Sequence, residues 1–135
     1  PRMLSTIAVA TDGSDTAQRA VEAAFDLAEH YDAPVVVLTA YAPGRHDSIG
    51  WHATEATQAE RVLADASEAA EARGVRCSTA MREGDPADAI VALAVERGAD
   101  LLVVGNKGME RRLRGSVPDT ISHRAQCSVF VVKTS

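Results

Sequence analysis

Short apolar runs alternate with helical patterns along most of the chain, and this alternation constrains the fold more than any other feature. The apolar runs have the length of single strands and cover 4–10, 34–40, 75–81, 101–104 and 128–133. Between them, apolar residues recur every three or four positions, which is typical of helices that bury one face. Strands that alternate with helices in this way predict an α/β fold with a mostly parallel sheet and right-handed crossovers.

The segments between the apolar runs carry helix start and stop signals. The predicted helices cover 15–31, 53–73, 86–97 and 116–124. Ser14 is a good N-cap for the first helix, Gly74 ends the second, and Asp85 caps the third. The segment 41–52 has no clear period and is predicted to be a loop. The run 75–81 alternates polar and apolar residues, which indicates a half-exposed strand at a sheet edge.

Length and composition are those of an ordinary globular domain. At 135 residues the chain is predicted to form one domain, 1–135, in which residues 1–2 are interpreted as an expression-vector remnant ahead of Met3. No apolar run approaches the roughly 18 residues of a membrane-spanning helix, and no secretory signal pattern is present. We therefore expect a cytoplasmic protein that does not bind membranes, with Cys77 and Cys127 as buried, reduced thiols.

Charge and aromatic content argue against nucleic-acid binding. Aromatic residues make up only 4% of the chain, too few for base-stacking platforms, and the net charge of −5 would repel a polyanion. Four basic residues nevertheless cluster locally: Lys107, Arg111, Arg112 and Arg114. A small positive patch on an acidic chain suits a small anion better than a nucleic acid, although such runs are also common on solvated surfaces.

The stretch around these basic residues has the features of an anion-binding loop. The run 101–104 is followed by Gly105-x-x-Gly108, then by the basic residues, and then by Gly115-Ser116-Val117-Pro118, which is typical of a helix start. Glycines let a ligand approach the backbone, and a helix N-terminus offers unpaired N–H groups and a positive dipole end. The stretch matches neither the P-loop nor the dinucleotide fingerprint. We therefore predict a phosphate-bearing ligand.

Asp12 ends the first predicted strand, and two interpretations of it remain open. Its carboxylate either accepts bonds from nearby N–H groups of the turn or binds a ligand, through a ribose hydroxyl or a magnesium ion. In open α/β sheets, ligands bind beyond the carboxyl ends of the strands, where the strand order reverses. If the first and fourth strands are neighbours, Asp12 and Gly105 meet at that edge. Ser116 fits a helix cap or a phosphate ligand better than a nucleophile, because no spacing pairs it with a base.

Together these motifs resemble the universal stress protein family. The resemblance rests on Ala10-Thr11-Asp12-Gly13-Ser14, on the segment Asp100 to Gly108, on Gly115-Ser116-Val117-Pro118 and on the closing Cys127 to Lys133. It covers essentially the whole chain. It implies a Rossmann-like open parallel five-stranded sheet in the order 3-2-1-4-5, with helices on both faces. It also implies a homodimer, often paired through the C-terminal strand.

The resemblance further implies a site for an adenine nucleotide, with ATP as the first candidate and AMP and cyclic AMP as alternatives; the magnesium ion expected at Asp12 follows from its carboxylate. The residues that the resemblance implies are Ala10, Thr11, Asp12, Ala40, Gly105, Asn106, Gly108, Gly115, Ser116 and Val117, and the basic run adds Arg111 and Arg112. By this resemblance Ala40 offers backbone groups to adenine, and Asp12 binds in the ribose and phosphate region. Ala10 and Thr11 line the adenosine, and the residues after the fourth strand hold the phosphates.

One departure from the family pattern bears on function. The nucleotide-binding pattern is Gly-x2-Gly-x9-Gly-[Ser/Thr], whereas only residues 109–114 separate Gly108 from Gly115 in this chain. Three hypotheses follow: a nucleotide-binding stress-response regulator with at most slow hydrolysis, a dimeric interaction module with an empty pocket, and an enzyme acting on phosphate esters. The short loop favours the second hypothesis, and the lack of a nucleophile–base pair argues against the third.

Overall fold

The computed structural model describes residues 4–42, 51–107 and 117–133, in which five strands alternate with four helices. The strands are β1 (Ile7–Ala10), β2 (Val35–Tyr41), β3 (Cys77–Glu83), β4 (Leu101–Gly105) and β5 (Ser128–Val132). The helices are α1 (Asp15–Tyr31), α2 (Trp51–Arg73), α3 (Pro86–Glu96) and α4 (Val117–Arg124).

All strand pairs are parallel, and the sheet order is β3-β2-β1-β4-β5, which confirms the predicted order. The chain builds outward from β1 to β3 and then crosses to the other side of β1 to add β4 and β5. Right-handed crossovers in these two directions place helices on opposite faces of the sheet. The core clusters agree, because α1 and α2 pack on one face and α3 and α4 on the other.

The central strands are buried on both faces, as parallel strands covered by helices require. Along β1, Ile7 and Val9 point to the α1 and α2 face, while Ala8 and Ala10 point to the other. Among the described residues, Phe25 of α1 is the largest fully buried side chain. The small alanines let α3 lie close to the sheet, so the core is built from short side chains and tight packing.

The start of β1 is shorter than predicted, because Leu4 to Thr6 do not join a neighbouring strand. Instead, the carboxylate of Asp100 accepts hydrogen bonds from the Ser5 N–H at 2.8 Å, the Ser5 hydroxyl at 3.0 Å and the Thr6 N–H at 3.2 Å. The Asp100 N–H donates in return to the Thr6 carbonyl at 3.0 Å. This Asp100 clasp ties the chain before β1 to the start of β4.

Strand pairing also places the ends of other elements at positions that differ from the predicted ones. Arg82 and Glu83, predicted to form a turn, belong to β3 because they pair with the last two residues of β2. The predicted loop 41–52 is therefore shorter at both ends, since β2 includes Tyr41 and α2 begins at Trp51; residues 43–50 lie outside the described residues.

The prediction that both cysteines are buried is wrong. Cys77 starts the edge strand β3 and Cys127 precedes β5, and both are partly exposed. The burial they do have raises the pKa of both thiols above its usual value, so at neutral pH they are protonated, weakly reactive groups.

The two edges of the sheet differ. At β3, the Arg97 guanidinium donates to the Thr79 carbonyl at 3.4 Å, and Arg82 pairs with Glu96 at 2.6 Å. At β5, the large apolar side chains Phe130 and Val131 are each 43% exposed. Of the helices in the described ranges, none combines the length and apolarity that a bilayer crossing requires.

The Asp100 clasp leads to a pH-dependent stability prediction. Burial tends to raise the pKa of Asp100, but the hydrogen bonds from Ser5 and Thr6 outweigh it and leave the pKa below its usual value. A depressed carboxyl pKa stabilises the fold above the unfolded-state pKa of about 3.9. That contribution is lost as pH falls through the lower, folded-state pKa.

We expect Asp100→Asn to lower the free energy of unfolding at pH 7 by about 2 kcal/mol, the usual scale for hydrogen bonds to a charged group. Urea denaturation at pH 7, 5 and 3.5 measures it, with Asp65→Asn on exposed α2 surface as the charge-matched control. The difference in the free energy of unfolding between wild type and Asp100→Asn should become smaller toward pH 3.5. A difference in unfolding free energy that does not change with pH would contradict stabilisation by the ionised Asp100 carboxylate.

Candidate functional site

The carboxyl ends of β2, β1 and β4 lie side by side where the strand order reverses. β1 pairs in parallel register with β2 on one side and β4 on the other. Continued past the last paired residues, these registers place Asp12 level with Ala40 on one side and Asn106 on the other. Because neighbouring strands are about 4.8 Å apart, we infer that the three residues form one row across the sheet edge.

The structure thus brings six of the predicted site residues to one edge of the sheet: Ala10, Thr11, Asp12, Ala40, Gly105 and Asn106. Ala10 and Thr11 are buried at the end of β1, while Asp12 and Ala40 are partly exposed at the sheet edge. The predicted adjacency of the first and fourth strands is confirmed by their direct pairing.

The turn after β1 is held by its own polar groups. The Thr11 N–H donates to the Leu38 carbonyl at 2.9 Å, and the Thr11 hydroxyl accepts from the Gly13 N–H at 3.0 Å. Asp12 Oδ1 accepts from the Ser14 N–H at 2.9 Å, and Ser14 caps α1 by accepting from the Ala17 N–H at 3.2 Å.

The structure shows the first of the two roles that the sequence left open for Asp12, the turn role, and its ligand-binding role stays a prediction. One carboxylate oxygen stabilises the turn, as the structural interpretation requires. Within the described residues the other oxygen, Oδ2, has no hydrogen-bond donor, and the side chain is partly exposed. A partly exposed acceptor at the switch point can receive a ligand hydroxyl or coordinate a cation.

α2 packs directly over this turn at Gly13. The φ of Gly13 is +84°, a region that L side chains rarely adopt, and a Cβ there would lie 2.7 Å from Val62 Cγ2. The turn therefore needs glycine for its backbone conformation and also for the close approach of α2. Val62 is the residue of α2 that covers it.

The phosphate half of the predicted site is described only at its two ends. Gly105 ends β4 opposite Val132, and the Asn106 N–H donates to the Val132 carbonyl at 2.9 Å. Val117 is the first residue of α4, one position later than the predicted helix start. The remaining predicted residues lie outside the described residues: Gly108, Arg111, Arg112, Gly115 and Ser116.

The described residues form no metal site of their own. Across 4–42, 51–107 and 117–133, no group of three or more histidine, cysteine, aspartate or glutamate side chains is placed to hold a cation. Magnesium often takes only one or two protein carboxylates and completes its shell with phosphate oxygens and water. A single carboxylate at Asp12 fits a magnesium ion that arrives with a phosphate ligand, and does not fit one bound without it.

Comparison with known proteins identifies the family. The universal stress protein family matches residues 3–133. The chain belongs to this family. A universal stress protein of Mycobacterium tuberculosis is 38% identical over 142 residues, which cover 96% of this chain and 97% of the relative.

Solved structures of universal stress proteins share the fold and include nucleotide complexes. One, determined in complex with cAMP, has a TM-score of 0.81 and 36% identity, and the match covers 99% of this chain and 100% of that one. Another, from Archaeoglobus fulgidus in complex with dAMP, has a TM-score of 0.77 and 26% identity, covering 98% of this chain and 100% of that one. The family and the sheet order predicted from sequence are thereby confirmed.

Sequence reasoning missed two residues that shape the Asp12 turn. Thr39 donates from its hydroxyl to the Thr11 carbonyl at 2.7 Å, and Val62 covers Gly13. A sequence signal existed only for Thr39, which is a polar residue at the end of the apolar run 34–40. Its partner lies 28 positions away and is fixed by strand register, which the sequence does not show.

Proposed function

We propose that this universal stress protein binds an adenine nucleotide at the carboxyl edge of β2, β1 and β4 and acts as a dimeric stress-response regulator. The observation that carries the proposal is that the carboxyl ends of β2, β1 and β4, where Ala40, Asp12 and Asn106 lie, are adjacent at the switch point. The cAMP and dAMP complexes of relatives with the same fold support the choice of adenine.

We assign each residue of this row to one part of the nucleotide. Ala40 presents main-chain groups to the base at the end of β2, and the small side chain of Ala10 leaves room above β1. Asp12 Oδ2 accepts from a ribose hydroxyl or holds magnesium beside a phosphate. Gly105 and Asn106 lie toward the ribose and phosphates, and we assign the remaining phosphate contacts to Gly108, Arg111, Arg112, Gly115, Ser116 and the Val117 N–H.

ATP is the ligand first expected from the sequence, but two observations favour AMP or cyclic AMP. The ligands of the two similar structures carry one phosphate each, as cAMP and dAMP. The segment between Gly108 and Gly115 is also shorter than the family pattern, which reduces the backbone available to surround a triphosphate. The sequence pairs no nucleophile with a base at this site, so we expect any hydrolysis to be slow.

Calorimetry with ATP, AMP, cyclic AMP and GMP, each with and without magnesium, tests the proposal. We expect dissociation constants of about 1–100 µM for the adenine monophosphates, which corresponds to roughly 5.5–8 kcal/mol of binding free energy. GMP should bind at least about tenfold more weakly. No heat with any adenine nucleotide at millimolar concentration would refute the nucleotide proposal and leave the interaction module as the better interpretation.

The dimer is proposed to form through β5. Phe130 and Val131 point to opposite faces of the sheet because they are neighbours in one strand, so both sides of this edge are apolar. An unpaired apolar edge strand is prone to pair with another strand, and a second copy would cover it.

We expect Val131→Lys to convert a dimer into a monomer at about 10 µM protein, because a charge at the edge opposes strand pairing. Light scattering coupled to size-exclusion chromatography measures the change in mass. Tyr31→Lys is the matched control, since Tyr31 is a large side chain that is 45% exposed at the end of α1 and is not part of the β5 strand. A wild-type monomer, or a Val131→Lys dimer, would count against this interface.

A further inference from the structure

Two polar side chains are buried in the described parts of the chain, and a hydrogen bond joins the two residues. Thr11 is 1% exposed and Thr39 is 2% exposed, while the other buried residues are apolar. The Thr39 hydroxyl donates to the Thr11 carbonyl at 2.7 Å. A buried hydroxyl is unfavourable unless it is bonded, and valine would fill the same space without that requirement. The hydroxyl therefore has a role beyond packing.

The hydrogen bond from the Thr39 hydroxyl takes the place of one backbone hydrogen bond between β1 and β2. The last ladder bond before it runs from the Thr11 N–H to the Leu38 carbonyl at 2.9 Å. In a regular parallel pair, the next bond would run from the Ala40 N–H to the Thr11 carbonyl. No such backbone bond occurs between the described residues, and the Thr39 hydroxyl occupies that carbonyl instead. The Ala40 N–H is thereby left for another acceptor at the sheet edge.

The same bond orients the residue that follows Thr11. The Thr11 carbonyl and the Asp12 N–H belong to one planar peptide unit, so holding the carbonyl fixes the direction in which Asp12 leaves the sheet. The Thr11 hydroxyl, which accepts from the Gly13 N–H, fixes the other side of Asp12. The Thr39 hydroxyl thus orients Asp12 and leaves the Ala40 N–H available, although Thr39 itself is buried and does not line the sheet edge.

We propose that Thr39 is a positioning residue of the nucleotide site: its buried hydroxyl caps the Thr11 carbonyl, which orients Asp12 and keeps the Ala40 N–H available to the base. The inference rests on the proposed nucleotide-binding function for its ligand. Its first test requires no ligand, so the two can fail separately.

Amide hydrogen exchange followed by NMR tests the ladder directly in the wild-type protein. The Ala40 amide should exchange at least tenfold faster than the Thr11 amide, which has a backbone acceptor. In Thr39→Val the freed Thr11 carbonyl should accept the Ala40 N–H, and the Ala40 amide should become protected. An Ala40 amide already as protected as Thr11 in the wild-type protein would overturn the proposal, whatever the protein binds.

Calorimetry with AMP and cyclic AMP tests the effect on binding. Thr39→Val should weaken both by about tenfold or more, whereas Thr39→Ser, which keeps the hydroxyl, should stay within about threefold of wild type. Val35→Ala removes buried volume at the opposite end of β2 and controls for general destabilisation. Equal affinity losses in Thr39→Val and Thr39→Ser, or in Thr39→Val and Val35→Ala, would overturn the positioning role.

If Thr39→Val does not fold, Thr39→Ala replaces it in the binding measurement, because it removes the hydroxyl without placing a branched apolar group beside the carbonyl. Wild-type affinity in a folded Thr39→Ala or Thr39→Val variant would also refute the inference. A wild-type protein that binds no adenine nucleotide refutes the proposed function instead, while the exchange experiment still decides whether Thr39 replaces the ladder bond.

Discussion

Asp12→Asn should weaken AMP binding about 30-fold while leaving the fold intact. Asparagine keeps an oxygen that can accept from the Ser14 N–H, so the turn survives. At the outward position an amide replaces Oδ2, and an acceptor for the ribose hydroxyl becomes a donor. The loss of one hydrogen bond to a charged group is worth about 2 kcal/mol, which corresponds to roughly 30-fold in affinity.

Calorimetry on wild type, Asp12→Asn and Asp65→Asn measures this effect. Asp65 is exposed on α2, and its substitution changes the net charge by the same amount without touching the turn. Asp65→Asn should bind AMP like wild type. If Asp12→Asn also binds within threefold of wild type, Asp12 is a turn residue only, and the nucleotide is held by other groups.

Gly13→Ala should lower the free energy of unfolding by about 3 kcal/mol, the largest effect expected for any single substitution in the turn. A left-handed φ costs an alanine roughly 1–2 kcal/mol, and forcing a side chain into packed surroundings costs about 1–3 kcal/mol more. The second part arises because Val62 Cγ2 would lie 2.7 Å from the new Cβ. Val62 is branched at Cβ and cannot easily rotate away.

Gly98→Ala separates the two causes, because Gly98 has a φ of +66° but a Cβ added there would meet no atom of the described residues within 4 Å. It should show only the backbone cost of roughly 1–2 kcal/mol. In the Val62→Ala background, Gly13→Ala should cost about as much as Gly98→Ala. Urea denaturation of the four variants measures these differences, and equal losses for Gly13→Ala and Gly98→Ala would show that α2 does not press on the turn.

Local chemistry predicted much of the fold. The apolar run of β2, the N-caps Ser14 and Asp85, and the positive φ of Gly74 all follow from residues within a few positions of each other. The alternating pattern of β3 correctly indicated an edge strand. The order of the strands needed the family resemblance, because alternation alone allows several parallel arrangements.

The features that escaped prediction join residues that are distant in sequence. The Asp100 clasp spans 95 positions to Ser5, and the Thr39 bond spans 28 positions to Thr11. The ends of β3 depend on how far β2 extends beside it, and the need for glycine at position 13 depends on where α2 crosses the turn. These are consequences of register and packing, which single-sequence patterns do not encode.

If the proposed dimer forms through β5, the difference between the two sheet edges would limit the size of the assembly. Charged side chains cover part of the β3 edge, because Arg97 donates to the Thr79 carbonyl and Arg82 pairs with Glu96. The described residues place no such charges along β5. Joining two copies through β5 would make one continuous sheet whose outer borders are both β3. Such a sheet would offer no further apolar border for a third copy, so association through the proposed β5 interface would stop at the dimer and would not propagate into a filament.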